Sequence, residues 1–481
     1  MVEPLARPRR ISMPAKTKTA AAKPAPRKQK QKEESPADLR AQGKALRDKH
    51  SRQAHAGWTA PAHRFDPLKI LEQSNEGRVE ELVPIRYGRM LQSPFTFYRG
   101  AAAIMAADLA KTPNNGLNLQ ACGDCHLMNF GAFATPERRM IFDINDFDET
   151  AHAPWEWDVK RLAASFVLAS RSNGHRPADA RDAVLSCVRS YRETMDEFAE
   201  MRALDIWYAS LDIETIMSNL SPRDRAIVRK RIEKARSRDV VEEDFPKMVD
   251  SAEGKHVIRD NPPLIYHTQG QASEKFLENL AEAFQRYRET LPEDRRVLLD
   301  RFKLKDVALK VVGVGSVGTR CGIMLLMNGE SDVLFLQVKE ARTSVLEPYA
   351  GKTSYANRGQ RVVVGQRLMQ SASDLFLGWT EGAKGLHYYV RQLRDMKLKP
   401  LVELFSASIM ETFARYCGWV LARAHARSGQ PALLAGYLGK SDRFDKAIAS
   451  FAVAYADQNE RDYERLRQAA RRGLIDVHLE S

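Results

Sequence analysis

The segment CGDCHLMNFG, residues 122–131, sets Asp124, His126 and Asn129 in the pattern Asp-x-His-x-x-Asn between two glycines. FDINDFDET, residues 142–150, follows with Asp143, Asp146 and Asp148. Phosphoryl transfer from a nucleotide needs few groups, but each in a fixed place. A carboxylate orients or deprotonates the acceptor hydroxyl, and hard oxygen ligands hold the magnesium that bridges the phosphates. Asp124 fits the first role, with His126 beside it. Asn129, five residues on, and Asp146, 22 residues after Asp124, fit the second, with Asp148 as a further oxygen donor. One short motif of this kind is weak, and two at this separation are considerably stronger. A polar loop whose Asp and Asn cap helices is the competing reading.

A second group of residues points the same way. VGVGSVGTR places Gly313, Gly315, Ser316 and Gly318 between two apolar runs. A dinucleotide fingerprint would need a helix directly after the glycines. CGIMLLM follows instead and reads as a strand, so the glycines belong to a hairpin whose backbone can approach phosphates. FLQVKEA then carries Lys339 near the end of the next strand, suited to grip phosphate oxygens. Such a lysine needs a carboxylate to fix it, and Glu347 is the expected partner. Arg99, in SPFTFYRG, suits either a phosphate or anionic substrate, or an ion pair that packs a loop. Cys122 and Cys125 lack the second ligand pair of a zinc site and the helix of a thioredoxin-like motif. His425 reads as a packing residue on a helix.

The elements that must position these groups are mixed. FYRGAAAIMAADLAKTP predicts a helix ending near Pro113, Met140–Ile144 a short strand, and WDVKRLAASFVLASRS a helix with Val159, Leu162, Ala163, Phe166 and Val167 on one face. Three antiparallel strands are expected after residue 303, with a turn at Asn328-Gly329, then a helix in GQRVVVGQRLMQSAS and a strand in LHYYVRQLRDM. Helix returns from about Leu401. The fold class is therefore α+β. Residues 303–398 are expected to be sheet-rich, between helix-rich stretches at 56–302 and 399–481.

Composition sets outer limits. The chain has 481 residues and a net charge of +13. Residues 1–60 hold 15 Lys/Arg against 5 Asp/Glu, so most of the excess is N-terminal. Residues 1–55 read as a disordered basic tail, because they offer too little apolar surface to offset ordering. Nucleic acid is then no partner beyond weak contact through that tail. No apolar run approaches the roughly 18 residues of a membrane-spanning helix. Five cysteines, an odd number, do not form a disulfide framework, and a cytoplasmic setting is expected.

SPFTFYRG, CGDCHLMNFG, FDINDFDET, PWEWDVKRLAAS, VGVGSVGTR, FLQVKEA, YYVRQLRDMK, LARAHARSG and YADQ together resemble the bacterial family known as domain of unknown function 2252, from about residue 65 onward. More distantly, CGDCHLMN, NDFD and WDVKRLA are similar, in order, to the loops of aminoglycoside and choline kinases. That resemblance implies a two-lobed, protein-kinase-like fold using ATP with Mg2+ or Mn2+ and an unknown acceptor. It makes Asp124 catalytic, Asn129 and Asp146 metal ligands, and Asp158 the brace of the catalytic loop. Cys122 stands where those kinases have histidine. The glycine turn and Lys339 follow the catalytic loop instead of preceding it, which implies circular permutation. A nucleotide-binding pseudokinase, a nucleotidyltransferase and a metal-dependent hydrolase remain as alternatives.

Overall fold

The computed structural model describes residues 34–236, 245–252, 255–262, 264–267, 271–311, 313–393 and 396–479. After a helix α1 (Pro36–Lys49), a short helix α2 (Pro94–Gly100) is opened by a capping box. Ser93 accepts from the Thr96 N–H and Thr96 returns the bond to Ser93. Strands β1 (Asn118–Ala121), β2 (Phe130–Ala134), β3 (Met140–Ile144) and β4 (Ala151–Pro154) lead into α3 (Trp155–Ser172) and α4 (Pro177–Phe198). Strand β5 (Ile265–Tyr266) precedes β6 (Lys303–Lys310), β7 (Cys321–Asn328) and β8 (Asp332–Glu340). Helix α5 (Arg358–Met369), strands β9 (Gly378–Glu381), β10 (His387–Gln392) and β11 (Lys397–Leu398), and helices α6 (Ala407–Ser428), α7 (Pro431–Leu438) and α8 (Arg443–Arg471) complete the chain.

The architecture is α+β, and its named strands pair antiparallel. One sheet runs β9-β10-β8-β7-β6-β5; β1 pairs with β4; β11, β2 and β3 form a third sheet. The large sheet starts earlier than the expected boundary at residue 303, because β5 supplies its edge. The expected strands and helix of this region are present, and β9 is an addition. Residues 36–481 form one compact unit. Strand β11 pairs back onto β2 (Lys397 opposite Phe133), joining the end of the sheet region to the acidic loops. No helix among the described residues is long and apolar enough to cross a membrane.

Helix α3 lies at the centre, with every residue from Trp155 to Ser170 buried. The predicted apolar face is there, but Glu156, Asp158, Lys160 and Arg161 are inside as well. A charged residue can sit there only with a partner. Lys160 donates to Thr112, and Glu156 accepts from the Asn115 N–H.

The tail expected through residue 55 is corrected from residue 36 onward; its first 33 residues lie outside the described ones. Helix α1 sets Leu39 and Leu46 against the main core, and the rest of its docking is backbone and polar. Gly43 lies so close to α7 that an added Cβ would stand 1.9 Å from the Leu433 carbonyl oxygen, and at Gly436 one would stand 2.3 Å from the Arg40 carbonyl. Arg47 donates to the Gly436 and Tyr437 carbonyls, and Arg52 to Leu438. Those are among the last carbonyls of α7, which no longer find partners within the helix. The charges that suggested a solvated tail thus cap a helix end.

Two outcomes test this docking. Gly43→Ala should lower stability by about 1–3 kcal/mol in urea unfolding, since backbone must move to admit the methyl group. His55, 1% exposed with Nε2 2.8 Å from the Tyr437 hydroxyl, has its pKa pushed from 6.5 to about 3, first by burial and then by Lys160. A histidine depressed in the folded state contributes fully above 6.5 and loses that contribution as pH falls toward 3. Wild-type stability should therefore fall more steeply than that of His55→Gln as pH drops from 6.5 toward about 4.

Candidate functional site

The loop after β1 is shaped by backbone constraints. Gly123 has φ 88°, and a Cβ there would lie 2.1 Å from the Glu149 carbonyl oxygen, so glycine alone fits. Asp158, in the first turn of α3, accepts from the Cys122 N–H at 2.6 Å and the Gly123 N–H at 2.9 Å. His425 Nε2 lies 3.2 Å from the same carboxylate, and its Nδ1 meets the Tyr191 hydroxyl at 2.8 Å. His425 thus helps hold the loop through Asp158. Further along, Asn129 Nδ2 donates to the Asp124 carbonyl at 2.6 Å, and the Asn129 carbonyl accepts from Asn145 at 2.7 Å. These bonds tie the two acidic loops together. Asp143 points away from them, into an ion pair with Arg423 at 2.5 Å and a bond from the Ser371 hydroxyl.

Asp124 keeps 22% of its side chain exposed. Its Oδ1 accepts from Arg161 Nε at 2.6 Å, and Oδ2 lies 3.8 Å from His126 Nε2. Arg161 is itself fixed by the Tyr98 carbonyl and lies over the Tyr98 ring. His126 is held well below its usual pKa by burial, then by the charges of Arg99 and Arg161, so the ring is neutral.

The opposite wall comes from the large sheet. Register sets Lys339 of β8 between Cys321 and Tyr389. Its ammonium donates to Asp148 Oδ2 at 2.7 Å and lies 3.9 Å from Asp146 Oδ2. Asp148 also accepts from the Tyr389 hydroxyl at 2.5 Å and the Ser316 hydroxyl at 3.2 Å. Burial alone would lower the lysine pKa, but Asp146 and Asp148 outweigh it and hold it above its usual value. The two carboxylates diverge. Burial and the neighbouring Asp148 raise Asp146, whereas Lys339 overcomes burial at Asp148 and holds it low.

Both groups meet in one cleft of about 490 Å³. Asp124, His126, Asn129, Asp146 and Asp148 line it. Gly313, Gly315, Ser316 and Arg99 line it too. Gly313 and Gly318 have φ of 73° and 83°, as the turn between β6 and β7 requires. Gly318 backs onto Arg78, where a Cβ would stand 3.1 Å from that side chain. A second cavity of about 330 Å³, lined by Phe133, Asp374 and Arg391, holds none of the anticipated site residues.

Two expectations change. Glu347 does not meet Lys339: its carboxylate accepts from the Ser344 N–H at 3.2 Å and lies 3.8 Å from Arg361 Nε. A turn after β8 carries it onto a separate short helix, Glu347–Ala350, while the acidic loop comes directly under the lysine. Asp148, expected among the metal ligands, is the lysine's partner, with both oxygens engaged. Among the described residues no three His, Cys, Asp or Glu side chains cluster to hold a metal. Asp146 and Asn129 nevertheless suit magnesium, which takes one or two protein oxygens and completes its shell with water and phosphate. Arg161 and Tyr389 escaped the sequence reading. Arg161 sits three residues after Asp158, one helical turn on, which is the signal that could have found it.

These features define an α+β protein whose glycine turn and acidic loops share one cleft, with the strand lysine paired to Asp148 on its wall. The chain belongs to the family described as uncharacterized proteins conserved in bacteria (DUF2252), whose model matches residues 78–469. No curated protein and no solved structure matches it.

The brace is testable. Asp158→Ala should cost about 3 kcal/mol in denaturant unfolding, because it leaves the Cys122 and Gly123 N–H groups buried without acceptors. A loss below about 0.5 kcal/mol would show that water or another group replaces the carboxylate.

Proposed function

We propose that the protein is an ATP-dependent, metal-requiring phosphotransferase acting on a hydroxyl-bearing acceptor. The observation that carries this reading is the meeting, in one cleft, of the glycine turn with Asp124, Asn129 and Asp146, while Lys339 stands behind the cleft's acidic wall, 3.9 Å from Asp146. The order glycine turn, β7, lysine strand β8, helix α5, then β9 and β10 supports a kinase-like nucleotide lobe. Its place after the acidic loops supports circular permutation. The five cysteines are free and buried, which fits a reducing cytoplasm. Nucleic acid has no role in this reading beyond weak contact through the basic N-terminal residues.

Asp124 would accept the hydrogen bond of the acceptor hydroxyl and turn its oxygen toward the phosphate. Arg161 fixes the direction of that carboxylate. Asp146 and Asn129 would hold the magnesium, which supplies charge neutralisation when bound. Lys339 adds a fixed positive charge at the phosphates, and the glycine turn brings unobstructed backbone to them. The bond from Arg161 also supports a second reading, a nucleotide-binding protein without transfer, because the arginine competes for the carboxylate the hydroxyl needs.

Three variants separate these readings in paired measurements of metal–ATP affinity and of phosphate transfer in cell extract. Asp124→Asn should retain nucleotide while transfer falls by about 10²–10⁴. Asp146→Asn should weaken metal-dependent nucleotide binding, since a neutral amide is the poorer ligand. Lys339→Ala should weaken ATP binding by roughly 1.5–3 kcal/mol. Tight ATP binding with no transfer in the wild type selects the non-catalytic reading. Metal binding without nucleotide affinity selects a metal-dependent hydrolase.

A further inference from the structure

One wall of the cleft carries positive charge that the protein does not neutralise. Arg78, Arg86 and Arg99 all line it. Arg78 donates Nε to the Ser74 carbonyl at 2.9 Å and Nη1 to the Val317 carbonyl at 2.5 Å. Arg86, 2% exposed, donates to Asn75 Oδ1 and the Gly100 carbonyl, and its Nε is buried without a partner. The Nε of Arg99 is buried without a partner too. Among the described residues none of the three forms an ion pair. Several other buried arginines do pair: Arg64 meets Asp108 and Asp462, Arg192 meets Asp445, and Arg423 meets Asp143, whereas Arg52 meets the Leu438 carbonyl at a helix end.

The nearest carboxylates are otherwise occupied. Glu340 accepts from the N–H and side chain of Arg320, and Glu149 from the Val345 N–H. Burial, then Arg86 and Arg342, push the Arg78 pKa down to about 8, and burial takes Arg86 to about 10. Arg99 is lowered by burial, with Asp124 opposing. A guanidinium does not surrender its proton at neutral pH, so the charge remains and a bound anion offsets its cost. Asp124 and Arg99 line the same cleft, so an acceptor placed against Asp124 also faces the arginine wall.

We propose that the acceptor is a phosphate monoester carrying a free hydroxyl, with its phosphate seated on Arg78, Arg86 and Arg99 and its hydroxyl turned to Asp124. This rests on the phosphotransferase reading for the role of Asp124. The arginine wall itself stands on geometry alone. Several guanidiniums without acidic partners match a dianion better than a single carboxylate.

Inorganic phosphate is the probe, titrated by calorimetry into the full chain, first alone and then with magnesium and a non-hydrolysable ATP analogue present. Phosphate should bind in both conditions, and acetate far more weakly. Arg99→Gln and Arg78→Gln should each weaken phosphate by about tenfold or more, with the analogue's affinity unchanged in Arg99→Gln. Arg78→Lys, which keeps the charge, should recover part of the loss, and its melting curve guards against misfolding. Three results overturn the proposal: no phosphate binding at about 10 mM, binding that the arginine variants leave intact, or phosphate and analogue displacing each other. The last would assign the arginines to the nucleotide. If the analogue does not bind, the phosphotransferase reading fails while the titration without nucleotide still decides the anion site.

Discussion

The carboxylate of Asp158 is the point on which the site hangs. It faces two backbone N–H groups of a glycine-bent loop on one side and His425 on the other, inside a helix buried all round. A charged acceptor in such surroundings is tolerable only when its lone pairs are met, so loop, helix α3 and helix α6 must assemble together. One turn further along α3, Arg161 sets the direction of Asp124. The same helix therefore fixes the loop's backbone through one residue and its reactive side chain through another.

Charge in this protein is sorted by distance along the chain. Arg64 joins Asp108 to Asp462, and Arg423 reaches Asp143, bridging its beginning and end. Arg47 and Arg52 meet helix carbonyls instead of carboxylates. Lys339 gathers Asp148 beneath a hairpin that begins more than a hundred residues after the acidic loop. A net charge alone says nothing of this arrangement, because it counts charges without their partners.

Much of the local structure was legible in the sequence. Short apolar runs marked Met140–Ile144 and the strands of 303–340, a 3.6-residue period marked α3, and the glycine turn followed from what flanks it. Residues 124, 126, 129 and 146 were recognisable because they are close together and of unusual type, and they do line one cleft. Long-range partners were not legible. Glu347 is near Lys339 in sequence, but Asp148 is near it in space. Helix α1 was unreadable for a different reason. Only Leu39 and Leu46 carry apolar packing, and its other contacts are backbone approach at Gly43 and donors to carbonyls, which leave no apolar pattern. The arginine wall is invisible in a chain with so many basic residues, since what distinguishes it is the lack of partners.

The pairing of β11 with β2, and of Arg423 with Asp143, has a consequence for synthesis on the ribosome. Residues 122–150 leave the exit tunnel early, yet the strand and helices that complete their surroundings emerge some 250 residues later. At about 5–20 residues per second, that interval lasts on the order of ten seconds or more. During it, Leu127, Phe130, Ile144 and Trp155, all fully buried in the end, have no finished core to enter. The newborn chain thus carries a sticky, half-built centre throughout that interval, a consequence of the order of its segments.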